Sequence, residues 1–107
     1  MEDPRLPARL EATALLRRVQ AEGGFGTVIQ KGEPDSGTLL VVLIEKGSNA
    51  RVYERMPQID GSRAWHCSKQ AYGNTEAIDS YLARRADQDR DLWILELDIA
   101  DGERFIR

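Results

Sequence analysis

The chain has 107 residues, of which 41% are hydrophobic and 31% charged, and its formal net charge is −3. That length suits a single globular domain, 1–107, around one core, and the apolar share is too high for a disordered segment. The acidity weighs against a surface built to attract phosphate backbones, and the longest apolar run, Leu39 to Ile44, falls far below the roughly 20 residues of a membrane-spanning helix.

Pro7 suits the first turn of a helix and Gly23–Gly24 supplies a stop, so a first helix is expected over residues 7 to 22. Ala8, Ala12, Leu15, Leu16 and Val19 share its core face. Leu10, Ala14 and Ala21 form a second apolar streak almost opposite that face, a candidate interface with another subunit or with Phe105–Ile106. Phe25 to Lys31 reads as a strand, and 32–37 as a turn. Thr38 to Lys46 is a strand apolar on both faces, which belongs in the middle of a sheet. Arg51 to Met56 and Ser62 to Cys67 read as two further strands. Asn74 is a suitable N-cap for a second helix over about 75 to 87, with Ile78, Tyr81, Leu82 and Ala86 on one face. Trp93, Leu95, Leu97 and Ile99 alternate with Ile94, Glu96 and Asp98, which predicts a half-buried strand.

The expected fold is therefore α+β in the order α-β-β-β-β-α-β, with a mostly antiparallel five-stranded sheet. The expected spatial order is 5-1-2-3-4, in two layers, with both helices on one face. From Asp87 onward the acidic residues Asp87, Asp89, Asp91, Glu96, Asp98, Asp101 and Glu103 outnumber Arg90, Arg104 and Arg107, a run that reads as a solvated face.

Few motifs carry chemistry. Glu22–Gly23–Gly24–Phe25–Gly26–Thr27 looks like a phosphate-binding glycine loop, but a helix enters it and a strand leaves it, the reverse of what places a helix N-terminus on a phosphate. Those glycines cap a helix. Trp65–His66–Cys67 puts an imidazole beside a thiol, yet neighbours on a strand point to opposite faces, so no dyad is expected. With one histidine and one cysteine, no metal site of that type is expected, and no cofactor is called for. The lone Cys67 allows no internal disulfide and Met1–Glu2–Asp3–Pro4 opens acidic rather than as a basic leader, so the expected location is the cytoplasm.

Two binding features remain. Alternation puts Arg51, Tyr53 and Arg55 on one face of the third strand and Arg63, Trp65 and Cys67 on one face of the fourth. On an uncovered sheet face these would form a basic-aromatic platform of the kind that stacks single-stranded nucleic acid; in the competing arrangement Tyr53 and Trp65 enter the core, with Val52, Glu54 and Met56 outward. Arg85 lies on the apolar face of the second helix, where it either packs its methylenes and pairs with an acidic neighbour or contacts an anion.

The stretch RLPARLEATALLRRVQAEGGFGTVIQKGEPDSG, Arg5 to Gly37, together with DLWILELD, Asp91 to Asp98, and ERFI, Glu103 to Ile106, resembles the signature segments of a family of short bacterial proteins catalogued as domain of unknown function 1491. The resemblance covers essentially the whole chain, matches least over Pro57 to Asn74, and implies no activity and no catalytic residues. From the residues themselves, the first expectation is a non-catalytic protein-interaction or regulatory module, with a protein partner or a second copy of the chain. A small enzyme or ligand-binding protein using arginines and carboxylates such as Arg51, Arg55, Arg85 and Asp98 is the second, and single-stranded nucleic-acid binding, which the net acidity disfavours, is the third.

Overall fold

A computed structural model describes residues 6–70 and 75–106. The first helix, α1, spans Ala8–Ala21. Pro7 has no polar side-chain atom to cap it, and the N–H groups of Ala8 and Arg9 donate instead to the carbonyls of Asp35 and Pro34 at 3.2 and 2.8 Å. The helix ends as its glycines predict. Gly23, at φ 90, donates to Gln20 O and Gly24 donates to Val19 O, the crossed pair of bonds that closes a helix through a left-handed residue.

Five strands follow: β1 Phe25–Gln30, β2 Leu39–Glu45, β3 Ser48–Pro57, β4 Arg63–Gln70 and β5 Trp93–Asp98. The second helix, α2 Thr75–Gln88, links β4 to β5, and a 3-10 turn, Gly102–Phe105, closes the described chain. The capping role expected of Asn74 lies outside the described residues. The α+β class, the five-stranded sheet and the central doubly apolar strand stand as expected, and every strand pair is antiparallel except β2 with β5.

The sheet order is β1-β5-β2-β3-β4, so the expected 5-1-2-3-4 is corrected at one place. β5 is an antiparallel neighbour of β1 as expected, but lies inside it, parallel to β2. The physical reason is depth. Trp93, Leu95 and Leu97 are buried on one face of β5 and Ile94 on the other, whereas β1 leaves Phe25, Val28 and Ile29 exposed. A strand apolar on both faces gains most from an interior position.

The helices do not share a face, contrary to the two-layer expectation. Leu39, Val41 and Leu43 of β2 join Ala8, Ala12, Leu15 and Val19 of α1 in one core, while Leu40 and Val42 join Ile78 and Leu82 of α2 in another. The sheet is thus the middle of three layers. Both faces of β2 are apolar and each needs its own cover, and burying a Leu or Ile side chain such as Leu40, Leu43 or Ile94 contributes about 1.5–3 kcal/mol. α1 lies over β1 and β5, which leaves the β3–β4 half of its face to other elements.

Candidate functional site

β3 directs Arg51, Tyr53 and Arg55 to the α1 side of the sheet, where Arg51 and Tyr53 stand opposite Leu43 and Val41 of β2. β4 brings Trp65 opposite Arg55, Cys67 opposite Tyr53 and Arg63 opposite Pro57. The two rows therefore share a face. It is not an uncovered one: α1 and the 3-10 turn both reach it, and Tyr53 and Trp65 pack half-buried against the first core. Val52, expected outward in the arrangement with Tyr53 inside, is fully buried in the second core. The register of β3 on β4 slips between Val52 and Tyr53, so Lys69 pairs with Val52 and leaves that row for the other face.

The 3-10 turn is held in place by a close approach. Gly102 is buried, and a Cβ there would come within 2.9 Å of Leu43. With that turn fixed, Glu103 meets Arg51: Nε and Nη2 donate to its two carboxylate oxygens at 2.7 and 2.9 Å, and Nη1 donates to Asn49 O at 2.8 Å. Tyr53 adds its hydroxyl, donating to Glu103 at 2.9 Å. The Arg51 guanidinium holds the Glu103 carboxyl below the usual carboxylate range. Burial, reinforced by the Glu103 charge, pushes the Tyr53 phenol up to about 12. At neutral pH the carboxylate is ionised and the phenol keeps its proton, so the donor and acceptor roles in this trio are fixed.

A second ion pair lies beside it, between Arg55 of β3 and Glu11 of α1. The Arg55 guanidinium stacks over the Trp65 ring, 4.6 Å from its centroid. Arg18 of α1 stacks over Phe105 at 5.4 Å. Between these walls runs an open groove of about 790 Å³, lined by Leu6, Glu11, Ala14 and Arg18 on one side, by Tyr53, Arg55, Arg63 and Trp65 on the other, and closed at one end by Glu103, Phe105 and Ile106. A smaller hollow of about 260 Å³ shares Leu6, Glu11, Arg55 and Arg63 with it and runs on toward Asp35 and Thr38.

The remaining candidates fall elsewhere. Ala14 lines the groove, while Leu10 and Ala21 are exposed. Arg85 lies on the opposite face of the sheet, where Nη2 and Nε donate to Glu54 at 2.6 and 3.2 Å and Tyr81 donates to the same carboxylate at 2.5 Å. Burial raises the Glu54 carboxyl, but Tyr81, Arg85 and Ser68 together outweigh it and keep the group below its usual range. Arg85 is thus the packed and paired arginine of the plainer reading. His66 stands opposite Glu54 and Cys67 opposite Tyr53, on the two faces of β4, as strand alternation requires. Asp98 accepts the Lys46 N–H at 2.7 Å at the far end of β5, so the set Arg51, Arg55, Arg85 and Asp98 does not converge. Among the described residues no cluster of three or more His, Cys, Asp or Glu side chains is placed to hold a metal ion.

Glu11, Arg18 and Glu103 complete the site and were not singled out from the sequence, whereas Phe105–Ile106 was expected there only as a contact of the first helix's second apolar streak, of which Ala14 lines the groove with it. Glu11 had a readable signal: it lies three residues after Ala8 and four before Leu15, at the border of the core face of α1. Glu103 had none, because its partner Arg51 is 52 residues away.

Fold and groove together define a small α+β domain with the sheet sandwiched between two helices and an arginine- and ring-lined groove on one side. The chain belongs to the family described as Protein of unknown function (DUF1491), whose pattern it matches over residues 6–107. It is similar to the crystal structure of a DUF1491 family protein from Caulobacter crescentus CB15, with 30% identity, 94% of each chain covered and a TM-score of 0.84. The NMR structure of a DUF1491 family protein from Caulobacter crescentus CB15 superposes at 0.83, again with 30% identity, over 97% of this chain and 94% of that one. The solution structure of protein Atu0922 from A. tumefaciens is 27% identical over 96% of this chain and 93% of the other, with a TM-score of 0.79. No curated protein matches the chain.

Proposed function

We propose that this chain is a non-catalytic protein-interaction module that receives a segment of a partner protein in the groove between α1 and the β3–β4 hairpin. The observation that supports it is the paired state of two arginines, Arg55 in the groove's lining and Arg51 beside it. Arg51 and Arg55 are each held by a carboxylate, Glu103 and Glu11, and Tyr53 spends its hydroxyl on Glu103. Groups locked in this way present rigid, preorganised surface and are poorly placed to pass protons to a substrate. Arginine, tyrosine and tryptophan side chains in a concave, partly desolvated setting are also the residue types that dominate protein–protein binding energy. Half-buried Cys67, a thiol outside any disulfide, suits a reducing cytoplasm, and relatives from Caulobacter crescentus and A. tumefaciens suit a bacterial source.

The test is affinity capture with the wild type and two variants. Ala14→Arg places a long side chain in the groove at an exposed helical position, and Leu10→Arg does the same on the exposed part of α1 outside it. A partner held by the wild type and by Leu10→Arg, and lost by Ala14→Arg, supports the reading. Capture that is indifferent to Ala14→Arg removes it.

A further inference from the structure

Glu11, Ala14, Leu15 and Arg18 follow one another on α1 at the spacing of neighbouring turns, so one stripe of the helix forms a wall of the groove. The charges along the groove are not all matched. Both carboxylates in its lining are engaged, Glu11 by Arg55 and Glu103 by Arg51. Two further arginines stack on the Phe105 ring, Arg18 at 5.4 Å and Arg104 at 4.3 Å from its centroid. Arg104 also pairs with Glu22, whereas no carboxylate among the described residues pairs with Arg18. The hydrogen bond from Arg18 to Phe105 O is stretched to 3.5 Å. Arg18 is exposed and lines the groove, so most of its guanidinium N–H groups stay open to a guest.

We propose that the protein segment received by the groove is acidic, with a carboxylate side chain for Arg18 and, close to it, an aliphatic or aromatic side chain for the apolar lining around Ala14. The inference rests on the protein-interaction reading above and adds the chemistry of the partner. Charge complementarity selects the carboxylate, whose two oxygens match the fork of a guanidinium. The same walls disfavour a polyanion. A nucleic-acid strand would carry successive phosphates past Glu11 and Glu103, where like charge repels them, whereas one acidic side chain places its single charge at Arg18. The apolar neighbour follows from the rest of the lining: Ala14, one turn before Arg18, is exposed, and Trp65 across the groove is half-buried. Covering that surface drives association, and the carboxylate sets register and orientation.

The test selects binders of the full chain from a display library of random peptides, then remakes the selected peptides with each Asp or Glu replaced by its amide. Enriched peptides should carry an acidic residue close to an aliphatic or aromatic one and should be lost by Ala14→Trp, which fills the groove with an uncharged ring. Amide replacement should weaken them by up to about fivefold, the range of a partly exposed ion pair, and the difference should shrink as salt rises. Arg18→Gln should bind the acidic and amide forms alike, while Arg17→Gln, also exposed but outside the lining, should keep the preference. Groove-dependent peptides without acidic residues, or a preference for acid that survives Arg18→Gln or vanishes in Arg17→Gln, would overturn the acidic partner and leave the groove reading standing. Displacement of the selected peptides by a single-stranded oligouridylate would overturn it in favour of nucleic acid. Peptides that bind Ala14→Trp as well as the wild type, or a library that yields none, would remove the groove reading and this inference together.

Discussion

Arg51 and Glu103, 52 residues apart in sequence, meet in a two-pronged ion pair in which Nε and Nη2 of one reach both carboxylate oxygens of the other at 2.7 and 2.9 Å. Arg51 is 8% exposed, so its charge depends on that carboxylate for compensation. Glu103→Gln keeps the shape but removes the charge. It should destabilise the fold by about 1–3 kcal/mol, the range for leaving a buried polar group imperfectly paired, because the carboxylate itself is partly solvated. Urea denaturation of wild type and variant checks this; a loss below about 0.5 kcal/mol, the ordinary scatter of surface substitutions, would mean that Arg51 has adequate compensation from elsewhere.

The same trio sets an alkaline limit. Tyr53 has its folded pKa raised from 10.0 to about 12, first by burial and then by Glu103. A phenol whose folded pKa lies above its unfolded one contributes stability that is complete below pH 10 and is lost as pH rises from 10 toward 12. Ultraviolet difference titration of wild type against Tyr53→Phe should assign to Tyr53 a phenolate signal that appears well after the first tyrosine ionisation. A Tyr53 signal centred near 10 would show the hydroxyl to be freely solvated.

The legible part of this fold follows from local periodicity. Leu39 to Ile44 is apolar at every position, which centres β2, and Gly23–Gly24 marks the end of α1. The same run in β2 requires cover on both faces, but strand period alone does not say which helix takes which face. That choice rests on Ile94, buried against the α2 core in a strand whose Glu96 and Asp98 read as solvent positions. The site divides likewise. Alternation along β3 and β4 places Arg51, Tyr53, Arg55, Arg63 and Trp65 on one face. That α1 and the 3-10 turn would bring Glu11 and Glu103 to two of those arginines is a matter of long-range packing, with no local residue pattern to announce it.

Glu96 works against the fold at neutral pH. It is half-buried on β5, and burial, followed by the charges of Asp98 and Asp79, raises its pKa. A carboxyl with a raised folded pKa favours the native state when protonated and penalises it as pH rises through that value, the opposite of Glu103 and Glu54. Glu96→Gln should therefore raise the thermal midpoint at pH 7 and give little gain near pH 4, where the wild-type group is already taking up its proton. Equal gains at both pH values would point to packing rather than charge.

The split of the core into two layers has its own thermodynamic signature. Val19 is fully buried on α1 and Ile78 is 3% exposed on α2, on opposite sides of the sheet. Val19→Ala and Ile78→Val each remove apolar volume from a different core, the second at about 0.5–1.5 kcal/mol and the first at somewhat more. Because the two side chains share no partner, the double variant should lose the sum of the two within about 0.5 kcal/mol. Helices packed together on one face would bring these positions into a common cavity and make the losses non-additive. Chemical denaturation of the four proteins of this cycle distinguishes the two arrangements, and a coupling above about 1 kcal/mol would contradict the sheet's place between the helices.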